Sequence, residues 1–162
     1  MAGCTKMKSR QTGSAFKLDQ TDRRIIEQLQ HDGRLPFTRL GQAVGLSEAA
    51  ARQRVQRLVD NDALQIVAIT NPLSLSKRRM AMIGVKSTGS VRAVASLVEQ
   101  IHGVEYLVIT AGSFDLLCEA VVDDDEALTE IIEKIRQTDG VIATETFVYL
   151  GIEKQTYDWG AH

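Results

Sequence analysis

Between Ser47 and Arg57 the chain places Ser47, Ala49, Ala50, Arg52, Gln53, Arg54, Gln56 and Arg57 within about three helical turns. This is a set of amide and guanidinium donors behind a front of small side chains. Glutamine can pair its amide with the edge of adenine, and arginine can offer two parallel N–H groups to guanine or to a phosphate. Small alanines at the front let a helix approach a base-pair floor closely. The chemistry of such a set is recognition of double-stranded DNA, with no bond made or broken. With Val55 turned inward and a rotation of about 100° per residue, Ala49, Ala50, Gln53, Gln56 and Arg57 point away from the core, and Arg54 lies on the flank. A plain three-helix bundle with an arginine-rich surface would show the same residues.

The remaining candidate residues do not amount to catalysis. His31, His102 and His162 lie far apart and lack ligand spacing. The run Asp123 to Glu126 has no EF-hand glycine or spaced oxygen ligands, and acids suit the positive end of a helix that begins there. Cys118 sits in an apolar stretch with no basic partner nearby, and Cys4 with Cys118 makes neither a disulfide framework nor a metal cluster. No glycine-rich phosphate loop is present. The expectation is no enzyme, no catalytic residue, no cofactor and no metal.

The elements that must position the donor set come from periodicity and capping. Thr21 can cap a first helix in which Ile25, Ile26 and Leu29 turn inward, ending near Asp32-Gly33. Pro36 forbids its continuation. A second helix from Phe37 to Val44 turns Leu40, Ala43 and Val44 inward, and Gly45 suits its C-terminal stop. Ser47 caps a third helix with an inward stripe of Val55, Leu58 and Val59. A short helix, a glycine turn and a longer capped helix outline a helix-turn-helix.

Charge divides the chain in the same sense. Its 162 residues are 44% hydrophobic and 25% charged, average for globular proteins. Residues 1–79 hold 14 Lys and Arg against 7 Asp and Glu, a net +7, while residues 80–162 hold 5 against 14, a net −9. A basic front half and an acidic rear half suggest a nucleic-acid-facing module joined to one that is not. Residues 1–16 lack the apolar stretch of a secretory signal, and no apolar run approaches a bilayer span. A reducing cytoplasm, with association to the nucleoid and not to a membrane, is expected.

The order along the chain is a basic tail (1–17), the helix-turn-helix domain (18–64), a linker with an extended strand (65–79), a rear domain (80–154) and a C-terminal tail (155–162). In the rear domain, residues 80–86 read as a strand. Ser90 caps a helix carrying Val91, Val94, Ala95, Val98 and Ile101, and strands follow at 104–110 and 115–122. A helix with Leu128, Ile131, Ile132 and Ile135 inward and a last strand at 141–150 complete a βαββαβ order. Such an order packs as a four-stranded antiparallel sheet with both helices on one face, the ferredoxin-like arrangement. The whole is an α+β protein with a three-helix, winged-helix-like front. Tyr106, Phe147 and Tyr149 lie on strands whose second face needs a partner, which points to subunit pairing.

These residues resemble the Lrp/AsnC family of bacterial and archaeal transcription regulators. The likeness covers residues 18–154 and rests on four groups of residues. They are Leu18-Asp19 with Asp22 and Ile25; Gly45-Leu46-Ser47 followed by Arg54-Val55-Gln56-Arg57-Leu58; the stretch ending at Pro72; and Gly112-Ser113-Phe114-Asp115. It implies a DNA-binding helix-turn-helix joined to a ligand-sensing, oligomerising domain. It also implies homodimers that assemble further, commonly to octamers, and amino acids or related metabolites as effectors.

In that family the loop between the two middle strands helps to bind the effector where dimers meet. Here it is Gly112, Ser113, Phe114 and Asp115: Gly112 lets a ligand approach backbone N–H groups that could hold a carboxylate, and Asp115 could receive an ammonium. The same residues also suit a simple hairpin in which Asp115 caps backbone donors. Thr144 and Thr146 share a face of the last strand and could add hydroxyls to such a pocket. The expected function is a sequence-specific regulator responding to an amino acid or related metabolite. The alternative is an architectural DNA-compacting protein without an effector.

Overall fold

The computed structural model describes residues 16–69 and 79–156, which fall into two compact units, one reaching Ala68 and the other ending at Glu153. The first unit holds α1 (Gln20–His31), α2 (Phe37–Val44) and α3 (Glu48–Asp60). The cap of α1 is Asp19, two residues before the expected Thr21. The Asp19 carboxylate accepts from the Asp22 N–H at 2.7 Å, and Asp22 reciprocates on the Asp19 N–H at 3.2 Å. Two acids three residues apart satisfy two orphaned helix donors at once, which a lone threonine cannot do.

Ile25, Ile26, Leu29, Leu40, Val44, Ala51, Val55 and Leu58 form the core of this unit. Two inward assignments are corrected. Ala43 is exposed and Gly41 takes its place, because α2 lies so close to the following turn that a Cβ on Gly41 would stand 2.6 Å from the Leu46 carbonyl. Val59 is 38% exposed, because the four-then-three spacing of Ala51, Val55 and Leu58 already fills the inner stripe. Residues 65–69 pair with no strand, so the described residues of this unit carry no wing. The rest of the expected linker strand, from Thr70 to Arg78, lies outside the described residues, as do residues 1–15 of the basic tail.

The second unit runs β1 (Arg79–Ser87), α4 (Val91–Val98), β2 (Val104–Ile109), β3 (Leu116–Val122), α5 (Asp125–Arg136) and β4 (Val141–Val148). The sheet order is β2-β3-β1-β4, antiparallel throughout, so each helix connects two strands with a third between them. Ser90 and Asp124 cap the two helices through the N–H groups of Ala93 and Ala127. Ala81, Ile83 and Val85 of β1 and Leu116, Cys118 and Ala120 of β3 pack with Val94, Val98, Leu128, Ile131 and Ile135, so both helices cover one face. The other face holds Tyr106 and Phe147, each about half exposed. Tyr149 lies over it and donates its hydroxyl to Glu119 at 2.9 Å. Burial and this bond raise the Tyr149 phenol to about 12.

Candidate functional site

The turn between α2 and α3 sets how α3 is presented. Gly45 adopts φ +78°, a left-handed conformation that glycine takes without steric cost, and the Leu46 N–H returns to the Gly41 carbonyl at 2.8 Å. Ser47 Oγ then accepts from the Ala50 N–H at 3.2 Å, so the serine is engaged as a cap. Opposite the buried stripe, Ala49, Arg52, Gln53 and Gln56 are exposed and Ala50 is half-buried. The Arg52 guanidinium lies 4.5 Å from the centre of the Phe37 ring and pairs with Glu48 at 3.3 Å. Glu48 also accepts from the Thr38 hydroxyl at 2.6 Å, and these two partners hold its carboxyl below the usual range. Gln56 donates to Asp60 at 2.8 Å. The Gln53 side chain makes no hydrogen bond among the described residues.

Arg54 and Arg57 depart from the expectation of free outward donors. Arg54 NH1 donates to Asp22 at 2.9 Å and to Asp19 at 2.5 Å, and Arg57 NH2 reaches both Asp22 oxygens at 2.8 and 2.7 Å. Asp22 is fully buried, and its carboxylate is saturated by these donors and the Asp19 N–H. The Arg54 bond lowers the Asp19 carboxyl below its ordinary value, and the two aspartates raise Arg54 above its own. The Phe16 ring lies 5.4 Å from the Arg57 guanidinium. Rotation about the α3 axis alone missed this because long side chains lean toward charge. The available signal was the matched three-residue spacing of Asp19–Asp22 and Arg54–Arg57, one helical turn on each partner.

In the rear unit, Gly112, Ser113, Phe114 and Asp115 form the β2–β3 loop, with Gly112 and Ser113 exposed and Phe114 and Asp115 half-buried. Thr110 closes the loop, its N–H donating to the Asp115 carbonyl at 2.9 Å and its hydroxyl to the Phe114 carbonyl at 2.7 Å. Asp115 Oδ2 accepts from the Ser87 N–H at 2.7 Å and the Ser87 hydroxyl at 3.1 Å, the backbone-capping role weighed for it. The Phe114 ring lies on Gly84, where a Cβ would be 2.7 Å from it, and meets Phe147 edge to face. Lys86 Nζ stands 5.9 Å from the same ring.

Thr144 and Thr146 do share a face of β4, but it is the helix-covered face. They pair with Val85 and Ile83, both core residues, and Thr144 accepts from Arg136 of α5 at 2.9 Å. The Phe114 ring lies on the opposite face, over Gly84, so the threonines and this ring do not line one pocket within a single chain. A period of two shows which residues share a face without saying which face it is.

Cys118 is wholly buried, and burial pushes its thiol up to about 11, which leaves it unreactive at neutral pH. Among the described residues no three of His, Cys, Asp or Glu cluster so as to hold a metal ion, and no helix is long and apolar enough to cross a membrane.

Residues 18–59 match the family model of the AsnC-type helix-turn-helix domain, and residues 80–159 match that of the Lrp/AsnC ligand binding domain. The chain is 30% identical over 141 residues to the HTH-type transcriptional regulator FL11 of Pyrococcus abyssi, covering 86% of this chain and 93% of that protein. Among solved structures it is similar to a transcriptional regulator of Neisseria meningitidis in complex with L-Met, at 26% identity and a TM-score of 0.76, covering 89% of this chain and 97% of that one. The leucine response regulatory protein of Mycobacterium tuberculosis is also similar, at 26% identity and a TM-score of 0.77, with 86% and 96% covered.

Proposed function

The chain belongs to the Lrp/AsnC family of transcriptional regulators and not to a family of enzymes, and on that premise we propose a sequence-specific regulator that acts as a homo-oligomer and responds to an amino acid or a related metabolite. Residues 18–64 bind DNA and residues 80–154 sense and assemble, in a cytoplasmic, nucleoid-associated protein. The observation that carries this reading is α3 itself. It is capped at Ser47, packed by Ala51, Val55 and Leu58, and presents Ala49, Arg52 and Gln53 to solvent, with Ala50 at the front and Arg54 and Arg57 along its border.

Assembly is supported by the uncovered sheet face, whose Tyr106 and Phe147 gain by leaving water against a second copy. A dimer then offers two recognition helices to half-sites about one helical turn apart, and pairing of dimers carries the assembly toward an octamer. The Gly112 to Asp115 loop supports the effector role. Its internal bonds run through Thr110 and Asp115, leaving the N–H groups of Gly112 and Ser113 to a carboxylate. The neisserial neighbour is a complex with L-Met, which supports an amino acid as the class of effector.

Selection from a random duplex library with the full-length protein tests the first claim. A recovered motif with two related halves, protected from cleavage at helical periodicity, is expected, and a continuous asymmetric footprint would count against the dimer. Calorimetry and light scattering against a panel of L-amino acids test the second. The engagement of Asp115 by Ser87 favours a second reading, an architectural DNA-compacting protein in which the loop is only a hairpin. Silence toward every amino acid would select it.

A further inference from the structure

We propose that α3 divides its labour, with Gln53 reading sequence while Arg54 and Arg57 act as positioning residues that fasten the recognition helix to α1 through Asp22 and Asp19. The inference rests on the reading of α3 as the DNA-facing helix. It changes what the two arginines do there.

A guanidinium can read a guanine edge only if two of its N–H groups point out together. In Arg57, NH2 is turned inward onto both oxygens of Asp22 and the Phe16 ring lies 5.4 Å from the group, although the side chain stays 46% exposed. In Arg54, NH1 is shared between Asp22 and Asp19 and the side chain is 30% exposed. Withdrawing either arginine to meet a base would leave the fully buried Asp22 short of donors, and an uncompensated buried carboxylate is strongly unfavourable. Both arginines are therefore anchored on a carboxylate that is itself fully buried.

The remaining long polar residues of the outer face differ. Gln56 is tied to Asp60, and Arg52 is held by Glu48 in an exposed pair of the kind that is easily exchanged for a phosphate. Gln53 alone among them is exposed with no side-chain hydrogen bond to the described residues. It lies one turn beyond Ala49, whose methyl leaves the approach open. An amide that can pair with adenine N6 and N7, carried on a helix whose rotation is set by the clasp, makes an A·T pair the expected preference at that position.

The test uses the full-length protein and a duplex selected by it, together with all single-base variants of that duplex. Gln53→Ala is expected to leave thermal unfolding unchanged and to flatten discrimination at one position by roughly tenfold. Arg57→Ala is expected to lower the unfolding temperature and to weaken all duplexes by a common factor, with the ranking of base variants preserved. Asp22→Asn weakens the same clasp from its fully buried side, by taking away its charge and one acceptor oxygen, and is expected to reproduce the Arg57→Ala pattern. Should the alanine variant not fold, Arg57→Lys keeps the charge and gives the same comparison, with the ranking again preserved. The proposal is overturned if Arg57→Ala or Arg57→Lys flattens a single base position while Asp22→Asn does not, or if Gln53→Ala leaves every position unchanged. A parent protein that selects no motif would instead remove the DNA reading itself.

Discussion

In the helix-turn-helix unit one of the largest fully buried side chains is a carboxylate, Asp22, whereas the described residues of the rear unit bury no charged side chain. The front core is built from eight buried apolar residues and the rear core from twelve. A three-helix unit has little interior to gain from, so it adds a saturated ion cluster that specifies how α1 and α3 meet. The four-stranded sheet has a full apolar layer under two helices and relies on volume. The lesson is that the front unit is sensitive to changes of charge and the rear unit to changes of size.

The largest effect that sharpens this contrast is Ile83→Ala, at the centre of β1 with no exposure. It should cost about 2–5 kcal/mol in denaturant unfolding of the rear unit, and added salt should not change that cost. Next is Asp22→Ala, which removes the shared partner of Arg54 and Arg57; because both guanidinium groups keep access to water, the front unit should lose about 1–3 kcal/mol. A loss below about 1 kcal/mol, as for an exposed pair, would break the comparison. Gly41→Ala sets a Cβ 2.6 Å from a backbone carbonyl that cannot swing aside. The front unit should lose about 1–3 kcal/mol, the exception in which its own packing is tight, and circular dichroism melts will read it.

The smallest effect is that of acid. Asp19, Glu48 and Asp125 all have carboxyls below their ordinary values, because Arg54, Thr38 with Arg52, and Arg79 respectively stabilise the charged form. A carboxyl whose folded value is depressed contributes stability that is fully present above its unfolded value and is lost as the pH falls through the folded one. Melting temperatures should therefore hold down to about pH 4 and then decline. Two of the three groups are in the front unit, so that transition should soften first, and Arg54→Ala should remove the part of the decline due to Asp19.

Much of the fold was legible because its signals are local. The bounds of α2, the glycine stop at Gly45, the caps at Ser47 and Ser90 and the βαββαβ order each depend on residues within one or two turns of one another. The cap of α1 was misplaced where two signals competed within three residues, and the reciprocal pair of Asp19 and Asp22 prevailed over Thr21. The site was only partly legible. The outward positions of Ala49, Arg52 and Gln53 follow from helical rotation, and the loop from Gly112 to Asp115 from its place between two strands.

What the sequence determined by itself is therefore which residues share a helix face or a strand face, since backbone periodicity sets this before any tertiary contact forms. Tertiary structure alone decided that Arg57 meets Asp22 across 35 positions of chain, that Phe114 lies on Gly84, and that Thr144 and Thr146 face the helices. The physical reason is distance. An ion pair, a ring on a glycine and the choice between two faces of a sheet depend on how near packing brings groups that the chain keeps far apart.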